Sequence, residues 1–499
     1  MLKSITLENY KCFKDETTID IAPLTVLCGV NSSGKSSILK SLLMMKQSYE
    51  NNPSKGQIVF SGNYVDNGSF KDVVFNNNGT SFEINTSFIV SDSLNNLNNR
   101  KKYSVDKSNF RELTRLYKSL IGDMNIKAPA FIISINLVIA GTDSPKTQIQ
   151  AIKNTITNYN IQIQIFNADN LKNELYKSDL KIQRCKSGLY LVDLLNFPLI
   201  SDNNVFESIT TSIENCHCYY DGMKLIKIYS SDAPKEYNMS EFLPNIYTLF
   251  SIVANQYYNI KHISPLRFSP NRSFTISRSI KDMSPNGEDM IQILAQYGTS
   301  KINYSILNNQ KEWENKSGTL LSAVQQWNTY LETGELTLSQ NGDNIKLNIS
   351  GHNILDVGTG VSQCLPIIIN GLYSPSNVTL MIEQPEIHLH PKMQMNMADF
   401  LLSLILQNKQ IIIETHSDHI INRLVRRAME DKNIRNKISI HFIDKNEDCA
   451  YIENVIIDEF DGAVCKNEDF FYQFASETEK IIDIGYRNLQ KSQEGSNDV

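Results

Sequence analysis

Gly29-Val30-Asn31-Ser32-Ser33-Gly34-Lys35-Ser36 is the stretch that decides the fold. Its spacing is G-x-x-x-x-G-K-[ST], a loop whose glycines let backbone N–H groups wrap around phosphate oxygens. The apolar run Val26-Leu27-Cys28 precedes it, and Ser36–Gln47 follows with the apolar spacing of a helix. Strand, glycine loop and helix in that order aim the positive end of a helix at bound anionic charge. Lys35 would neutralise the β- and γ-phosphates, and Ser36 would supply a Mg²⁺ ligand.

Working outward, Ser4–Leu7 and Thr17–Ile21 read as short strands before the buried strand Leu24–Cys28. Residues 1–75 thus form the first half of an α/β domain. Residues 76–255 differ: they are rich in Asn, Lys, Ser and Tyr, with polar stretches such as Asn95–Lys102. Helical spacing over Arg111–Ile121 and Thr147–Tyr159 mixes with strand-like Ala130–Ile139 and Ile161–Phe166. This is expected to be an inserted α+β lobe, without the sustained heptads of a coiled-coil arm. Residues 256–458 return to α/β patterning, and 459–499 form a partly helical tail containing Glu468-Asp469-Phe470-Phe471-Tyr472-Gln473-Phe474.

The bulk properties narrow the function. At 499 residues the chain exceeds one ordinary core. A formal net charge of −6 argues against a basic nucleic-acid coat while leaving a local basic groove open. No apolar run reaches the roughly 18 residues of a membrane span, and no secretory leader pattern opens the chain, so a cytoplasmic protein without a membrane partner is expected. Eight scattered cysteines make no disulfide framework. Cys216-His217-Cys218 lacks a second ligand pair, so a plain loop or strand is favoured over a metal corner.

Three further segments carry polar groups where chemistry would need them. Val378–Ile382 is an apolar strand ending in Glu383-Gln384-Pro385-Glu386. Ligands of doubly wound sheets sit beyond such tips, so Glu383 is expected to help hold Mg²⁺. Ile411-Ile412-Ile413-Glu414-Thr415-His416-Ser417 is a second such strand, whose His416 either reaches a γ-phosphate or lies beside a helix cap supplied by Ser417 or Asp418. Asp356-Val357-Gly358-Thr359-Gly360-Val361-Ser362-Gln363 is a glycine-rich turn ahead of an apolar run, a potential anion-binding helix end.

Taken in order, these segments resemble the ABC/SMC-like ATPase superfamily. The likeness is strongest to the bacterial branch with OLD-type ATPases and the ATPases of the Septu, Gabija and PARIS defence systems. Gly29–Ser36 matches Walker A, Gly358–Gln363 the signature, Leu380–Pro391 Walker B and D-loop, and Glu414–Ser417 the switch histidine. His262-Ile263-Ser264-Pro265-Leu266-Arg267 also resembles a stretch of that branch, whereas 76–255 shows no likeness. The resemblance implies an ATPase sheet flanked by helices, with ATP and Mg²⁺ as cofactors. It implies nucleotide contacts from Gly29, Asn31, Ser32, Ser33, Gly34, Lys35, Ser36 and Ser37. It also implies a head-to-tail dimer, or a higher oligomer, in which Gly358, Gly360, Ser362 and Gln363 reach the partner's γ-phosphate. Glu383, Gln384, Glu386 and His416 would form the catalytic group, with Ser36 and Glu383 on the metal. His388 and His390 are expected to serve packing and D-loop structure rather than a metal.

One departure stands out. Where the family places a water-activating Glu, this chain has Gln384, a poor base near neutral pH. Glu386 could substitute; otherwise hydrolysis is slow and the ATP-held state does the work. About 75 residues follow the His416 helix, and they show no clustered acids of a TOPRIM nuclease. The expected role is therefore a sensor or regulator in antiphage defence, triggered by a phage protein or DNA, with a separate nuclease or toxin effector. An SMC-like DNA-repair or chromosome-associated ATPase is the alternative, and a transporter subunit a more distant one.

Overall fold

The structure is a computed structural model that describes residues 1–50, 57–77, 79–91, 107–126, 128–142, 153–168, 170–198, 208–221, 223–230, 239–275, 280, 282–342, 344–446, 449–467, 480–482, 484 and 486. β1 (Leu2–Glu8) and β2 (Thr17–Asp20) form a hairpin, and β3 (Leu24–Gly29) feeds α1 (Lys35–Glu50). After α2 (Phe70–Val73) come β4 (Ser81–Ser91), α3 (Lys107–Leu116), α4 (Lys118–Asp123), β5 (Pro129–Thr142) and β6 (Lys153–Asn167). β7 (Asn170–Arg184), β8 (Tyr190–Pro198), β9 (Ser208–Asp221) and β10 (Lys224–Tyr229) continue the meander. α5 (Met239–Tyr258) then returns the chain to β11 (Ile260–Ile263).

β12 (Phe274–Thr275), α6 (Met290–Tyr297), β13 (Lys301–Leu307), β14 (Trp313–Thr319) and α7 (Leu320–Tyr330) follow. β15 (Leu336–Asn341), β16 (Asn344–Ile349) and β17 (His352–Asn353) lead to α8 (Thr359–Tyr373). The last stretch alternates β18 (Thr379–Glu383), α9 (Pro391–Leu406), β19 (Gln410–Glu414), α10 (Asp418–Glu430) and α11 (Lys432–Arg435). It closes with β20 (Ile438–Asn446), β21 (Cys449–Asp458) and β22 (Gly462–Val464).

Two large sheets organise these elements. One runs β11-β18-β19-β3-β20-β21-β22, parallel from β11 to β20 and antiparallel at its last two strands. Its central strands are buried on both faces, which is why they read as unbroken apolar runs. The other is a nine-stranded antiparallel meander, β10-β9-β8-β7-β6-β5-β4-β1-β2. Here side chains alternate, as in β4, where every second residue from Phe82 to Val90 is buried. Among the described residues, no helix is long and apolar enough to cross a membrane.

Helices α1 and α5 lie in a common core between the sheets. Ile38, Leu42 and Met45 of α1 and Phe250, Val253 and Tyr257 of α5 share it with Met381, Ile412 and Ile443 of one sheet and Ile133, Ile161 and Ile182 of the other. The opposite parity of the parallel strands, including Leu380, Ile382, Ile411 and Ile413, packs on α8, α9 and α10. Each such side chain contributes about 1.5–3 kcal/mol when removed from water. Gln410 ties the sheets together with polar bonds: its Oε1 accepts from Leu2 N and Thr379 Oγ1, both at 2.9 Å. Its Nε2 donates to Leu2 O at 2.7 Å and Ala22 O at 3.3 Å.

The inserted region differs from the sequence expectation in two ways. Its strands join β1 and β2 through the β1–β4 pairing, so the division at residue 75 runs through a continuous sheet. Helical spacing over Thr147–Tyr159 is overturned from Lys153 onward, where β6 runs with Ile156, Tyr159, Ile161, Ile163 and Ile165 buried. Tertiary pairing with β5 and β7 outweighs the local pattern there. Residues 147–152, the polar stretch Asn95–Lys102 and the block Glu468–Phe474 lie outside the described residues. Arg111–Ile121 is helical and Ala130–Ile139 extended, as their spacing indicated.

Candidate functional site

The glycine loop turns tightly because Gly29 and Gly34 adopt φ of 133° and 114°. A Cβ at Gly29 would lie 2.0 Å from Ile443 O, and one at Gly34 would lie 2.4 Å from Cys12 Sγ. Only glycine satisfies both the backbone angle and the crowding. Ser32 is also left-handed, at φ 59°. Lys35 is 3% exposed, and its ammonium folds back onto the loop, donating to Gly29 O at 3.1 Å and Val30 O at 2.5 Å. Burial lowers its pKa from the usual lysine value, with Glu414 and Cys28 opposing.

A cleft of about 680 Å³ opens above this loop. Asn31 through Ser37 line it, together with Gln384, Glu414 and His416 from the neighbouring strand tips. The rest of the wall comes from the meander side and the far strands: Lys11, Cys12, Asp72, Asn76, Asn77 and Lys445. The cleft volume falls within the range of roughly 300–1,000 Å³ common to small-molecule sites.

Strand order explains how the tips meet. β19 lies between the loop strand β3 and the acidic strand β18, and Glu414 is level with both Leu27 and Glu383. Ser36 Oγ donates to Glu414 Oε1 at 2.7 Å, while Glu414 Oε2 is buried without a partner. Burial pushes the Glu414 pKa up, Glu383 adds to the rise, and Ser36 and Lys35 counter it. Glu383 itself engages His262 Nε2 through Oε1 at 2.7 Å.

Gln384 enters the cleft wall from a left-handed backbone, φ 45°. Its N–H donates to Glu414 O at 2.7 Å. Arg267 Nη2 donates to Glu383 O at 2.8 Å and Gln384 O at 3.0 Å. These bonds hold a conformation that costs roughly 1–3 kcal/mol in isolation. Arg267 is buried, and desolvation lowers its pKa to about 10 against the pull of Glu386, Cys364 and Glu383. Glu386 uses both carboxylate oxygens on the next turn: Oε2 accepts from Thr415 Oγ1 and Oε1 from His416 N, both at 2.8 Å. Burial raises its pKa, against those two bonds and Arg267. His416 faces the cleft with its pKa lowered, first by burial and then by Lys35.

Thus the structure brings Asn31–Ser37, Gln384 and His416 to one cleft, with Gly29 beneath it in the loop and Glu383 and Glu386 just behind its wall. Gly358, Gly360, Ser362 and Gln363 lie apart from it, at the start of α8. Gly358 and Thr359 are exposed there, whereas the Ser362 hydroxyl turns inward and donates to Thr359 O at 2.9 Å. In the single chain the hydroxyl expected to reach a partner's γ-phosphate is thus engaged within its own helical turn. Gly360 packs against His388, where a Cβ would lie 2.5 Å from the carbonyl oxygen. His390 caps α9 by accepting from Lys392 N through Nδ1. Cys216-His217-Cys218 lies within β9. No cluster of three or more His, Cys, Asp or Glu residues suits a metal among the described residues.

Sequence inspection gave no site role to Glu414 or Arg267, though both fall in stretches it singled out, and none to the wall residues Lys11, Cys12, Asp72, Val74, Asn76, Asn77 and Lys445. Glu414 had a usable signal, because it ends an apolar strand just as Glu383 does. The wall residues come from unrelated elements, among them α2 for Asp72 and β20 for Lys445, and had none.

A family model described as an AAA ATPase domain matches residues 1–421. Comparison with curated proteins gives no match. Among solved structures, the SMC head domain from Thermotoga maritima aligns over 90% of this chain and 97% of its own, at 10% identity and a TM-score of 0.34. An SmcHead bound to the C-winged helix domain of ScpA aligns over 92% and 98%, at 10% identity and 0.38. An Smc head domain with an extended coiled coil, bound to the C-terminal domain of ScpA derived from Pyrococcus furiosus, aligns over 97% and 98%, at 9% identity and 0.34.

Proposed function

The chain belongs to the AAA ATPase domain family, and from that premise we propose that it binds ATP with Mg²⁺ in the Gly29–Ser37 cleft and works as an ATP-held dimer. The observation that carries this reading is the split between the cleft and the α8 N-terminus. The loop, Gln384 and His416 share one cleft, while Gly358 and Thr359 open elsewhere on the surface. A second copy, head to tail, would bring that helix end over the open side of the cleft. Backbone N–H groups near Gly358–Gly360, rather than the Ser362 hydroxyl, would then face the γ-phosphate.

Within one copy, the loop amides cradle the phosphates and Lys35 leaves the Gly29 and Val30 carbonyls for phosphate oxygens. Ser36 and the carboxylates at the β18 and β19 tips fit Mg²⁺: the donors are all oxygens, and a buried carboxylate oxygen waits without a partner. Bound Mg²⁺ would neutralise charge on the β- and γ-phosphoryl oxygens. His416, whose pKa is lowered first by desolvation and then by Lys35, can donate one ring N–H toward the γ-phosphate. Gln384 can orient a water but cannot take its proton. Both oxygens of Glu386 are committed to the His416 turn, which supports slow hydrolysis over rescue by that residue.

On the motif resemblance, we extend this reading to a cytoplasmic sensor or regulator of antiphage defence, set off by a phage protein or DNA, whose nuclease or toxin is a separate protein. Sedimentation with and without ATP and Mg²⁺ tests the dimer. Saturating nucleotide should double the mass; a monomer under those conditions sinks the shared-site reading. Purification together with the products of neighbouring genes tests the effector.

A further inference from the structure

Three oxygen-bearing groups meet behind the loop: Ser36 Oγ and the carboxylates of Glu383 and Glu414. The family-type site needs the first two. We propose that Glu414 is the direct carboxylate ligand of the nucleotide's divalent cation, with Glu383 set back behind it. This rests on the ATP reading above and deepens it.

Position comes first. β19 separates β18 from β3, so Glu414 stands one strand spacing, roughly 4.8 Å, nearer the loop strand than Glu383 does. Glu414 lines the cleft, and Glu383 does not. Both residues follow the parity of Met381 and Ile412, which face α1, so both carboxylates project toward the helix that Ser36 opens.

Hydrogen bonding separates their roles. Glu383 Oε1 is held by His262 Nε2, and its carbonyl by Arg267. Glu414 Oε1 already accepts from Ser36 Oγ, the other expected ligand. Its Oε2 is buried and unpartnered in a residue only 4% exposed. A carboxylate oxygen so placed is costly unless a cation or donor meets it. Lys35 donates to loop carbonyls and would move to phosphates once ATP binds, leaving no protein cation on that oxygen. A divalent ion held by Ser36 and Glu414 would satisfy it. Two adjacent acids also make the empty site repel phosphate, so nucleotide without metal should bind poorly.

The test uses the full chain with Mn²⁺ as the probe ion, its free fraction read by electron paramagnetic resonance in the presence of ADP. Fluorescent nucleotide binding is measured in parallel with metal and with chelator. E414Q keeps an oxygen for Ser36 and should weaken Mn²⁺ binding by roughly 10–100-fold. Its metal-free nucleotide affinity should hold or rise, a sign that lost packing would not give. E383Q should lose less than E414Q, and Glu414→Asp, which keeps the charge, should recover part of the Mn²⁺ affinity. Native Mn²⁺ affinity in E414Q, with the loss confined to E383Q, overturns the assignment alone. Failure of the native chain to bind nucleotide at all overturns the ATP reading, and this assignment with it.

Discussion

The two large sheets build one cleft by different means. The parallel sheet delivers its groups from strand tips: Glu383, Glu414, Gln384 and the loop after β3 all leave the same edge. The antiparallel meander contributes Lys11 and Cys12 from its first hairpin, with Asn76 and Asn77 just before β4. On the proposed reading, phosphate and metal chemistry falls to the parallel sheet. The other sheet encloses the far end of the cleft, and its great length, out to β10, lies away from the chemistry.

The first way to break this comparison is to weaken the meander alone. Phe131 is fully buried in β5 against Phe110 and Tyr117. Phe131→Ala should cost about 3–5 kcal/mol in urea unfolding while leaving the nucleotide affinity of the folded chain unchanged. If affinity falls in step with stability, the sheets are one functional unit and the division of labour is wrong.

A second change sharpens the other side. Gln384→Glu restores a base at the strand tip and should raise single-turnover ATP hydrolysis about a hundredfold. No gain would mean that the left-handed turn at residue 384 holds its side chain away from the attacking water. Lys35→Met comes next. It should weaken ATP by roughly 10–100-fold, the loss of one charge-assisted bond, with little change in the unfolding midpoint without nucleotide. An equal loss of midpoint would make the Lys35 bonds to Gly29 and Val30 structural instead.

The last test is a pH slope from the opposite end of β19, shallow at any one pH though it accumulates across the window. Lys409 is buried and donates to Gly371 O at 2.5 Å and Leu372 O at 3.2 Å, the last carbonyls of α8. Desolvation lowers its pKa from 10.5 to about 7. Between those values the unfolded chain holds a proton that the folded chain has released. Stability should therefore climb as pH rises through this window, by up to about 1.4 kcal/mol per unit, and level off below it. Lys409→Met should flatten the climb in urea unfolding series.

How far the sequence could be read follows the same division. The loop, the strand that enters it and the helix that leaves it were legible, because phosphate binding restricts Gly29, Gly34, Lys35 and Ser36 to few residue types. Glu383 and His416 were legible as polar ends of apolar strands. The place of Glu414 beside Ser36 was not, since it depends on β19 lying between β18 and β3, a long-range fact. The strand at β6 was misread because its Asn and Lys residues disfavour strands locally and only pairing with β5 and β7 sets its period. Arg267 was seen as part of a familiar stretch, but its bonds to the carbonyls of Glu383 and Gln384 join segments 116 and 117 residues apart.

Gln410 and Glu414 are the two ends of a single five-residue strand, roughly 13 Å long. One end grips the β1 backbone and the other holds the Ser36 hydroxyl. An extended strand hardly stretches under tension, so β19 acts as a tie-rod. The path from the start of α1 to the first strand of the meander is thus one short stretch of extended backbone, with a hydrogen bond at each end.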